Sequence, residues 1–513
     1  MRPTTSDASG SLTGEATGQI RGSSLLLVGR VLSVGLNFAT QVILVRYLTK
    51  MDYGVLAYAL SMATVGQTIV TFGLDRTLTR FASIYDEQRR FGILLGTIAF
   101  QVAVVTLLGA TLLIGALVLQ GWIGSTLIED PGAAEVLVLL LVLAPIQALD
   151  DVLVGLFAVF NQPRAIFVRR HVIAPVLRLS VVGAMVFAGL DLMTIAGGYV
   201  LASGVGFALY VPRLVRLLRE RLVLTRAAMK TFAVPHREIL GFAIPLLSTD
   251  LVYVLMNATD VVLLGYFHDA EAVATYRVVM PAAHLNQIVF TAFTLLFTPV
   301  ASRLFARSDL DGIRRLYWHT AIWMAVFSFP IFAVTFSLAE PITVALYGEA
   351  YRDSGVILAL LSFGYYFNVA LGFNGLTLRV FGKIRYTVVV NLVAAVANVL
   401  LNLLLIPPLG ALGAGLGTAS TLVLHNVLKQ WGLRRGTGIS FFDRTYLPGY
   451  VSIAAGAVIV YAFYAFFVTP LYLDLAVLGL VSIGVFSVNR RLLHLGSVFP
   501  ELRRVPLIGR YLV

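Results

Sequence analysis

A small set of ionisable side chains falls inside apolar stretches that are long enough to cross a membrane. An ionisable group at mid-membrane costs several kcal/mol, so it needs a charged partner or a water-filled cavity. Such groups can bind an ionic ligand, carry protons or ions, or pair with one another. The set comprises Arg30, Arg178, Arg277, Asp150, Asp151, Asp250 and Asp260.

Two pairings follow from depth along helices with a rise of about 1.5 Å per residue. Arg178 lies about 16 Å into the fifth stretch, level with Asp150 and Asp151 in the antiparallel fourth stretch. Asp260 and Arg277 match in depth near the outer ends of the seventh and eighth stretches. Each match predicts an ion pair, with a structural role and an ion-coupling role both open.

Arg30 and Asp250 occupy nearly equivalent positions in the first and seventh stretches. Helices related by such a repeat often face each other across a central cavity, so we predict an anion contact at Arg30 and a counter-charge or ion-coupling group at Asp250. Arg30 can alternatively extend to the nearby interface. Arg46, at the outer end of the first stretch, is either an anion contact or an interfacial anchor.

No pattern in the sequence indicates a metal site, a cofactor or a catalytic residue. The chain has no cysteine, and its seven histidines lack the spacing of a metal-binding motif. The run GALGAGLGTAS (410–420) resembles a dinucleotide fingerprint, but it opens an apolar stretch where small residues allow close helix packing. We therefore predict a protein that is not an enzyme.

The elements that must position these side chains are membrane-spanning helices. Hydrophobic residues make up 58% of the chain and charged residues only 12%, far from the averages of soluble proteins. About 14 stretches approach the roughly 20 apolar residues that a span needs. We place them near 24–46, 53–74, 91–119, 133–160, 166–190, 192–217, 238–265, 270–298, 314–338, 352–378, 384–407, 409–433, 446–468 and 470–489.

Basic residues alternate with these stretches. About 32 of the 38 Lys and Arg residues fall in every second connection, and short basic loops stay on the cytoplasmic side. We predict a multi-pass protein of the plasma or inner membrane with both termini in the cytoplasm. Because the net charge of +12 is concentrated on one membrane face, anionic lipids are expected partners and nucleic acid is not.

A weak internal repeat organises the helices. A shift of about 219 residues overlays six stretches on the next six, which is a parallel repeat about an axis along the membrane normal. The predicted fold is all-α, with two six-helix lobes related by this pseudo-two-fold axis and two further C-terminal helices. The predicted segments are a disordered N-terminus (1–22), an N-lobe (23–217), a basic amphipathic linker (218–237), a C-lobe (238–433), a helix pair (446–489) and a basic tail (490–513).

Several segments resemble one family of membrane proteins. VRYLTKMDYGVLAYALS (45–61) and FGLDRTLTRFAS (72–83) resemble the first two helices of polysaccharide flippases. ALYGEAYRDSGVILALLSF (345–363) resembles the entry to their tenth helix, and the Asn-rich then Gly-rich region at 382–420 is similar to their eleventh and twelfth helices. The resemblance is to lipid-linked oligosaccharide flippases of the multidrug/oligosaccharidyl-lipid/polysaccharide exporter superfamily.

The resemblance implies two lobes that rock between inward-open and outward-open states. It implies a polyprenyl-diphosphate-linked glycan as substrate, which cationic cavity residues contact near the diphosphate. By location, Arg30, Arg46 and Arg277 are the candidates. The four intramembrane Asp residues depart from a strongly cationic cavity and leave cation coupling open.

Three functions remain at this point. The first is a flippase that moves a lipid-linked oligosaccharide to the outer leaflet, with polysaccharide-assembly enzymes as expected partners. The second is a multidrug/cation antiporter of the same superfamily, with Asp250 and Asp150 as its carboxylates. The third is a membrane glycan polymerase or ligase, which the short outer connections disfavour.

Overall fold

A computed structural model describes most of the chain. It covers residues 28–122, 131–221, 223–467 and 469–493, together with Leu26 and Gly124. Within these ranges the side chains of residues 131, 245, 246, 248–253, 255–257, 295 and 296 are not described. The predicted N-terminal segment 1–22 lies outside the described residues, as does the tail beyond Leu493.

Contacts divide the chain into two compact units, Met1–Ala258 and Thr259–Val513. Up to the linker, unit 1 is built from helices α1 (Val28–Tyr47), α2 (Lys50–Thr71), α3 (Leu74–Glu87), α4 (Phe91–Trp122), α5 (Pro131–Leu141), α6 (Leu143–Val159), α7 (Pro163–Ile166), a π-helical segment (Phe167–Ile173), α8 (Ala174–Phe187) and α9 (Leu192–Glu220). After α9 come the short helix α10 (Arg226–Lys230) and α11 (His236–Phe267), whose last residues belong to unit 2.

Unit 2 continues with helices of very different lengths. They are α12 (Ala270–Arg277), α13 (Met280–His284), a 3-10 turn (Leu285–Gln287), α14 (Ile288–Ala306), α15 (Leu310–Phe336), α16 (Ala339–Tyr347), a second 3-10 turn (Glu349–Tyr351), α17 (Ser354–Ala370), α18 (Asn374–Val380), α19 (Ile384–Thr437), α20 (Leu447–Phe466) and α21 (Leu471–Leu493).

The predicted fold class is confirmed, because the described residues form helices and their connections, without a strand. Among these residues eleven helices are long and apolar enough to cross a membrane, or up to twelve if the bent pair Ala270–Thr294 and Phe297–Ala306 is one span. This count treats helix α19 as one span, although the helix is broken at Gly410, where φ is 55° and ψ is −132°. That break lies at the start of the predicted span 409–433, close to its predicted boundary with the span 384–407. The count of 14 stays a prediction.

The linker differs from the single amphipathic helix expected at 218–237. Helix α9 runs on to Glu220, and among the described residues that follow it only Arg226–Lys230 form a further helix before α11 begins at His236. Thr225 caps that short helix, since its hydroxyl accepts a hydrogen bond from the backbone N–H of Ala228 at 3.2 Å. The boundaries predicted for the lobes stay predictions.

Each unit packs its helices around its own core. In unit 1 the core runs along α3, α4 and α6 and includes Leu78, Leu94 and Phe157; in unit 2 it is aromatic and includes Phe329. In a bilayer, helices associate through close packing rather than through the hydrophobic effect. Helix α4 also carries large apolar side chains that the protein leaves exposed, such as Val118 at 77%, as expected of a lipid-facing surface.

Candidate functional site

Asp150 of α6 forms an ion pair with a buried arginine. Its Oδ1 lies 2.8 Å from Nη2 of Arg169, whose side chain is only 4% exposed, against 21% for Asp150. Removing one member of a buried ion pair leaves an uncompensated charge, which is strongly destabilising. This pair links the fourth and fifth spans of unit 1.

Arg169 reaches Asp150 from an irregular turn. It lies in the π-helical segment Phe167–Ile173, and such segments are rare and frequent at functional sites. Gly206 of α9 leaves room for the guanidinium, because a Cβ there would lie 3.3 Å from Nη1 of Arg169. Nε and Nη1 of Arg169 have no hydrogen-bond partner among the described residues.

Asp151 has a different set of neighbours. Gln67 of α2 donates a hydrogen bond from Nε2 to Oδ2 of Asp151 at 2.7 Å, and Nη2 of Arg170 lies 4.0 Å from Oδ1. Asp75, at the start of α3, is close enough to interact electrostatically with the same carboxylate. The carboxylates thus belong to one polar cluster, which we call the unit 1 cluster: Gln67, Asp75, Asp150, Asp151, Arg169 and Arg170.

The structure corrects the predicted partner of these carboxylates. Arg178 makes no ion pair among the described residues; its Nη1 donates to Oδ1 of Asn37 in α1 at 3.3 Å, and its guanidinium lies 5.5 Å from the centre of the Tyr199 ring. The depth estimate assumed regular α-helices. The π-helical segment breaks that assumption, and the long side chain of Arg169 reaches Asp150 from this segment. The predicted pairing with Arg178 was therefore wrong.

The second span contains a break that the sequence did not reveal. Phe72 and Gly73, between α2 and α3, both have left-handed backbone conformations, with φ of 52° and 66°. Gln101 of α4 spans this break by donating from Nε2 to the carbonyl oxygen of Leu74 at 2.9 Å. In transporters, interrupted spans commonly line binding sites, and the FGLD tetrapeptide with its glycine was the available signal.

Three of the four residues predicted for a central cavity lie in α1 and α11. Arg30 is exposed on α1, and the hydroxyl of Ser33 donates to its carbonyl oxygen at 2.9 Å while lying 3.1 Å from Nδ1 of His171. Arg46 is also exposed, near the outer end of α1. Asp250 lies in α11, but its side chain is outside the described residues.

In unit 2, Asp260 lies near the end of α11 and is only 2% exposed. The hydroxyl of Tyr276 donates a hydrogen bond to its Oδ2, and the backbone N–H of Val261 donates to Oδ1 at 2.9 Å. The Tyr276 oxygen also lies 3.2 Å from Oγ1 of Thr418 in the second half of α19. We call Asp260, Tyr276 and Thr418 the unit 2 cluster.

Arg277 follows Tyr276 directly but does not form the predicted ion pair. No described carboxylate lies within ion-pairing distance of its guanidinium, although Arg277 interacts electrostatically with Asp260 and with His284 of α13. The His284 ring packs against the ring of Tyr365, with centroids 4.6 Å apart. Tyr276 therefore takes the place that depth alone assigned to Arg277.

The unit 2 cluster adjoins a line of amides between the two halves of α19. Asn402 donates from Nδ2 to Oδ1 of Asn398 at 3.3 Å, and Asn398 in turn lies 3.5 Å from the hydroxyl of Thr421. A Cβ on Gly417 would lie 2.3 Å from Oδ1 of Asn402. The glycine-rich run is therefore a close-packing surface, as its small residues predicted.

The side chains that usually bind metal ions do not form a cluster among the described residues. Among the described residues no group of three or more His, Asp or Glu side chains is close enough to hold a metal ion.

Two family models match the chain. The model described as polysaccharide biosynthesis protein matches residues 20–305, and the MatE model matches residues 245–404.

Individual relatives are distant in sequence. An uncharacterized membrane protein of Methanocaldococcus jannaschii is 22% identical over 91% of this chain and 94% of its own length. A protein of Haloferax volcanii named probable flippase AglR is 23% identical over 47% of this chain and 51% of its own length.

Solved structures share the fold over most of the chain. The lipid II flippase MurJ in an inward closed conformation has a TM-score of 0.67 at 13% identity, covering 92% of this chain and 99% of that one. An inward-facing multidrug resistance MATE family transporter has a TM-score of 0.62 at 14% identity, covering 79% of this chain and 95% of that one. The chain described here thus has the fold of both a flippase and a drug transporter.

Proposed function

Because this multi-pass membrane chain belongs to the polysaccharide biosynthesis protein family, we propose that it is a flippase for a lipid-linked oligosaccharide. It moves a polyprenyl-diphosphate-linked glycan from the inner to the outer leaflet by alternating access, and it serves polysaccharide biosynthesis. The family match over residues 20–305 carries the proposal. The names of MurJ and of the Haloferax relative support it.

The substrate chemistry fits two cations that have no ion pair among the described residues. Arg30 and Arg277 make no ion pair with any described carboxylate, in contrast to Arg169 and Arg352. A diphosphate offers oxygen acceptors that match a guanidinium, and charge-assisted hydrogen bonds of this kind are among the strong ones. In the proposal Arg30, Arg46 and Arg277 are the candidate contacts of the diphosphate, while the lipid tail remains in the bilayer.

Coupling to an ion is assigned to the carboxylates. Asp260 is held by hydroxyl and amide donors, so proton uptake there would not break an ion pair. Proton uptake at Asp150 would leave Arg169 buried without its partner. We therefore assign ion coupling to Asp260, with Asp250 as its second candidate, and a structural role to Asp150, Asp151 and Arg178.

An export experiment tests the substrate site. Arg30→Ala should block glycan export and leave lipid-linked intermediates on the inner leaflet, because the diphosphate loses its cationic contact. Arg164→Ala is the matched control, since it removes an exposed arginine outside the predicted spans. Normal export by a folded, well-expressed Arg30→Ala protein would contradict the assignment.

An antiporter is the second candidate, and one observation favours it. The MatE model covers residues 245–404, which include Asp250 and Asp260. Asp250→Asn should then abolish efflux of a fluorescent drug and leave glycan export unchanged. Loss of glycan export in Asp250→Asn, together with no drug efflux by the parent protein, would exclude the antiporter.

We propose cytoplasmic termini in a plasma or inner membrane. The absence of cysteine makes single-cysteine labelling clean. A membrane-impermeant thiol reagent added to intact cells should label Ala350→Cys and not Thr445→Cys, both of which are exposed positions. Labelling of Thr445→Cys alone would invert the proposed topology.

A further inference from the structure

Basic side chains gather where α18 packs against the second half of α19. Nζ of Lys429 lies 3.5 Å from the position that a Cβ on Gly375 would occupy. Arg379 follows Gly375 by one helical turn, so it lies on the same side of α18. His425 precedes Lys429 by one turn on α19. We call Arg379 and Lys429 the unit 2 cation pair.

The surrounding polar groups are already engaged with one another. Nδ2 of Asn374 donates to Oδ1 of Asn426 at 3.2 Å and so ties α18 to α19. The hydroxyl of Tyr317 donates to Oε1 of Gln430 at 2.7 Å, and the His425 ring lies 2.8 Å from Oδ1 of Asn391. These contacts fix the backbone on both sides of the cation pair without supplying it with an acceptor.

The two cations carry like charges on the same side of α18 and have no counter-charge among the described residues. Lys429 faces Gly375, one turn before Arg379 on the same side of α18, and no described carboxylate lies within ion-pairing distance of either cation. Lys429 is partly buried, where like charges are less screened than in water. An anion between the two side chains would remove this repulsion and supply the missing acceptors.

The depth of the pair points to a lipid phosphate. Lys429 lies about 12 Å before the end of α19 at Thr437, from the helical rise. The connection after α19 is one of the basic ones, so this end is predicted to face the cytoplasm. Lys383 is an exposed basic residue at the same end of unit 2. Its Cε lies 3.4 Å from the position that a Cβ on Gly436 would occupy, away from Gly375 and the cation pair.

We propose that Arg379 and Lys429 bind the phosphate group of an inner-leaflet lipid. Two membrane sources carry this chemistry: an anionic phospholipid and a polyprenyl diphosphate. Arg379 is exposed and can meet the ligand first, while Lys429 holds it against α18. The site lies wholly within unit 2, and it does not depend on what the chain transports.

Ligand-dependent thermal stabilisation of the full chain in phosphatidylcholine nanodiscs tests the site. Phosphatidylglycerol, a polyprenyl diphosphate and inorganic diphosphate are titrated separately. At least one of the two lipids should raise the melting temperature, and Arg379→Gln or Lys429→Gln should weaken its apparent affinity about tenfold, as for a lost charge-assisted hydrogen bond. Lys383→Gln, which removes one charge at the same end of unit 2, should match the parent.

The source of the phosphate group is identified by which of the titrated ligands stabilises the protein. Stabilisation by phosphatidylglycerol assigns a phospholipid, and tighter binding of the polyprenyl diphosphate assigns a substrate-type headgroup. If Lys429→Gln does not fold, Arg379→Gln decides alone, because its side chain is exposed. Equal affinity in parent and variants, no stabilisation by either lipid, or stabilisation by inorganic diphosphate only would overturn the proposal. Because no transport is measured, the flippase proposal stands or falls separately.

Discussion

The two units hold the carboxylates of their spans in different ways. In unit 1, Asp150 and Asp151 face guanidinium groups at 2.8 and 4.0 Å. In unit 2, Asp260 is more deeply buried but is held by the Tyr276 hydroxyl and a backbone N–H. In the first arrangement each carboxylate lies near an arginine of opposite charge. In the second, neutral hydrogen-bond donors stabilise a single carboxyl group.

This difference separates a structural role from a functional one. A charge pair loses its stabilisation when either member is neutralised, which suits a permanent contact between spans. A carboxyl group surrounded by neutral donors can gain or lose a proton without leaving a partner charge behind. The unit 2 cluster is therefore the better candidate for ion coupling, and the following changes test the contrast.

The largest effect is expected from breaking the ion pair between Asp150 and Arg169 in unit 1. Asp150→Asn leaves Arg169 buried without a counter-charge and should cost about 3–5 kcal/mol in unfolding free energy. The double variant Asp150→Leu with Arg169→Met should recover most of this loss, because replacing both members by apolar groups is often neutral. Thermal unfolding in detergent measures both, and a single variant as stable as the parent would refute the structural role.

A smaller loss is expected where unit 2 depends on packing rather than charge. Gly417→Ala places a methyl group against Oδ1 of Asn402 and should cost about 1–3 kcal/mol, as overpacking does. Gly204→Ala is the control, since a Cβ there meets nothing within 4 Å. Equal melting temperatures for the two variants would mean that the halves of α19 are not closely packed at Gly417.

Asp260→Asn should change function more than stability. The amide oxygen can still accept from Tyr276, so the loss should be about 1 kcal/mol, typical of one hydrogen bond. Ion-dependent transport should nevertheless disappear, because an amide cannot exchange a proton. Tyr276→Phe, which keeps the carboxyl group, serves as the comparison. Transport that keeps its ion dependence in Asp260→Asn would remove Asp260 from the coupling role.

The smallest effect is expected for an exposed cluster of two glutamates and one arginine, which lies in α16 and in the connection from α16 to α17. Arg352 bridges Glu340 and Glu349, and its hydrogen bond to Glu349 holds the pKa of that carboxyl below its ordinary value of 4.5. A lowered pKa stabilises the fold above the ordinary value, and the contribution is lost as the pH falls through the lowered pKa. Arg352→Gln should therefore lower the melting temperature slightly at pH 7 and not in acid; a pH-independent difference would exclude this linkage.

Much of the fold followed from composition and periodicity, because spans must be long, apolar and helical to satisfy their backbone groups. The small residues at 410–420 predicted the close approach of helices that Gly417 shows. The break at Phe72 and Gly73 was missed, because a single glycine in an apolar stretch is compatible with an intact helix.

Partners of buried charges were predictable only in part. That Asp150 and Asp151 need cations followed from the cost of burying charge. The choice of Arg169 over Arg178 depended on a π-helical turn and on the space left by Gly206, neither of which depth along a helix reveals. The exchange of Arg277 for Tyr276 beside Asp260 has the same origin, because neighbouring residues point to different sides of a helix.

The most direct test is transport by the purified chain in liposomes. A polyprenyl-diphosphate-linked oligosaccharide is placed in one leaflet, and its arrival in the other is followed with a membrane-impermeant glycan-modifying reagent, beside uptake of a cationic fluorescent drug. We predict movement of the glycolipid, loss of that movement in Arg30→Ala, and no drug uptake. Drug uptake without movement of the glycolipid would contradict the flippase and identify an antiporter.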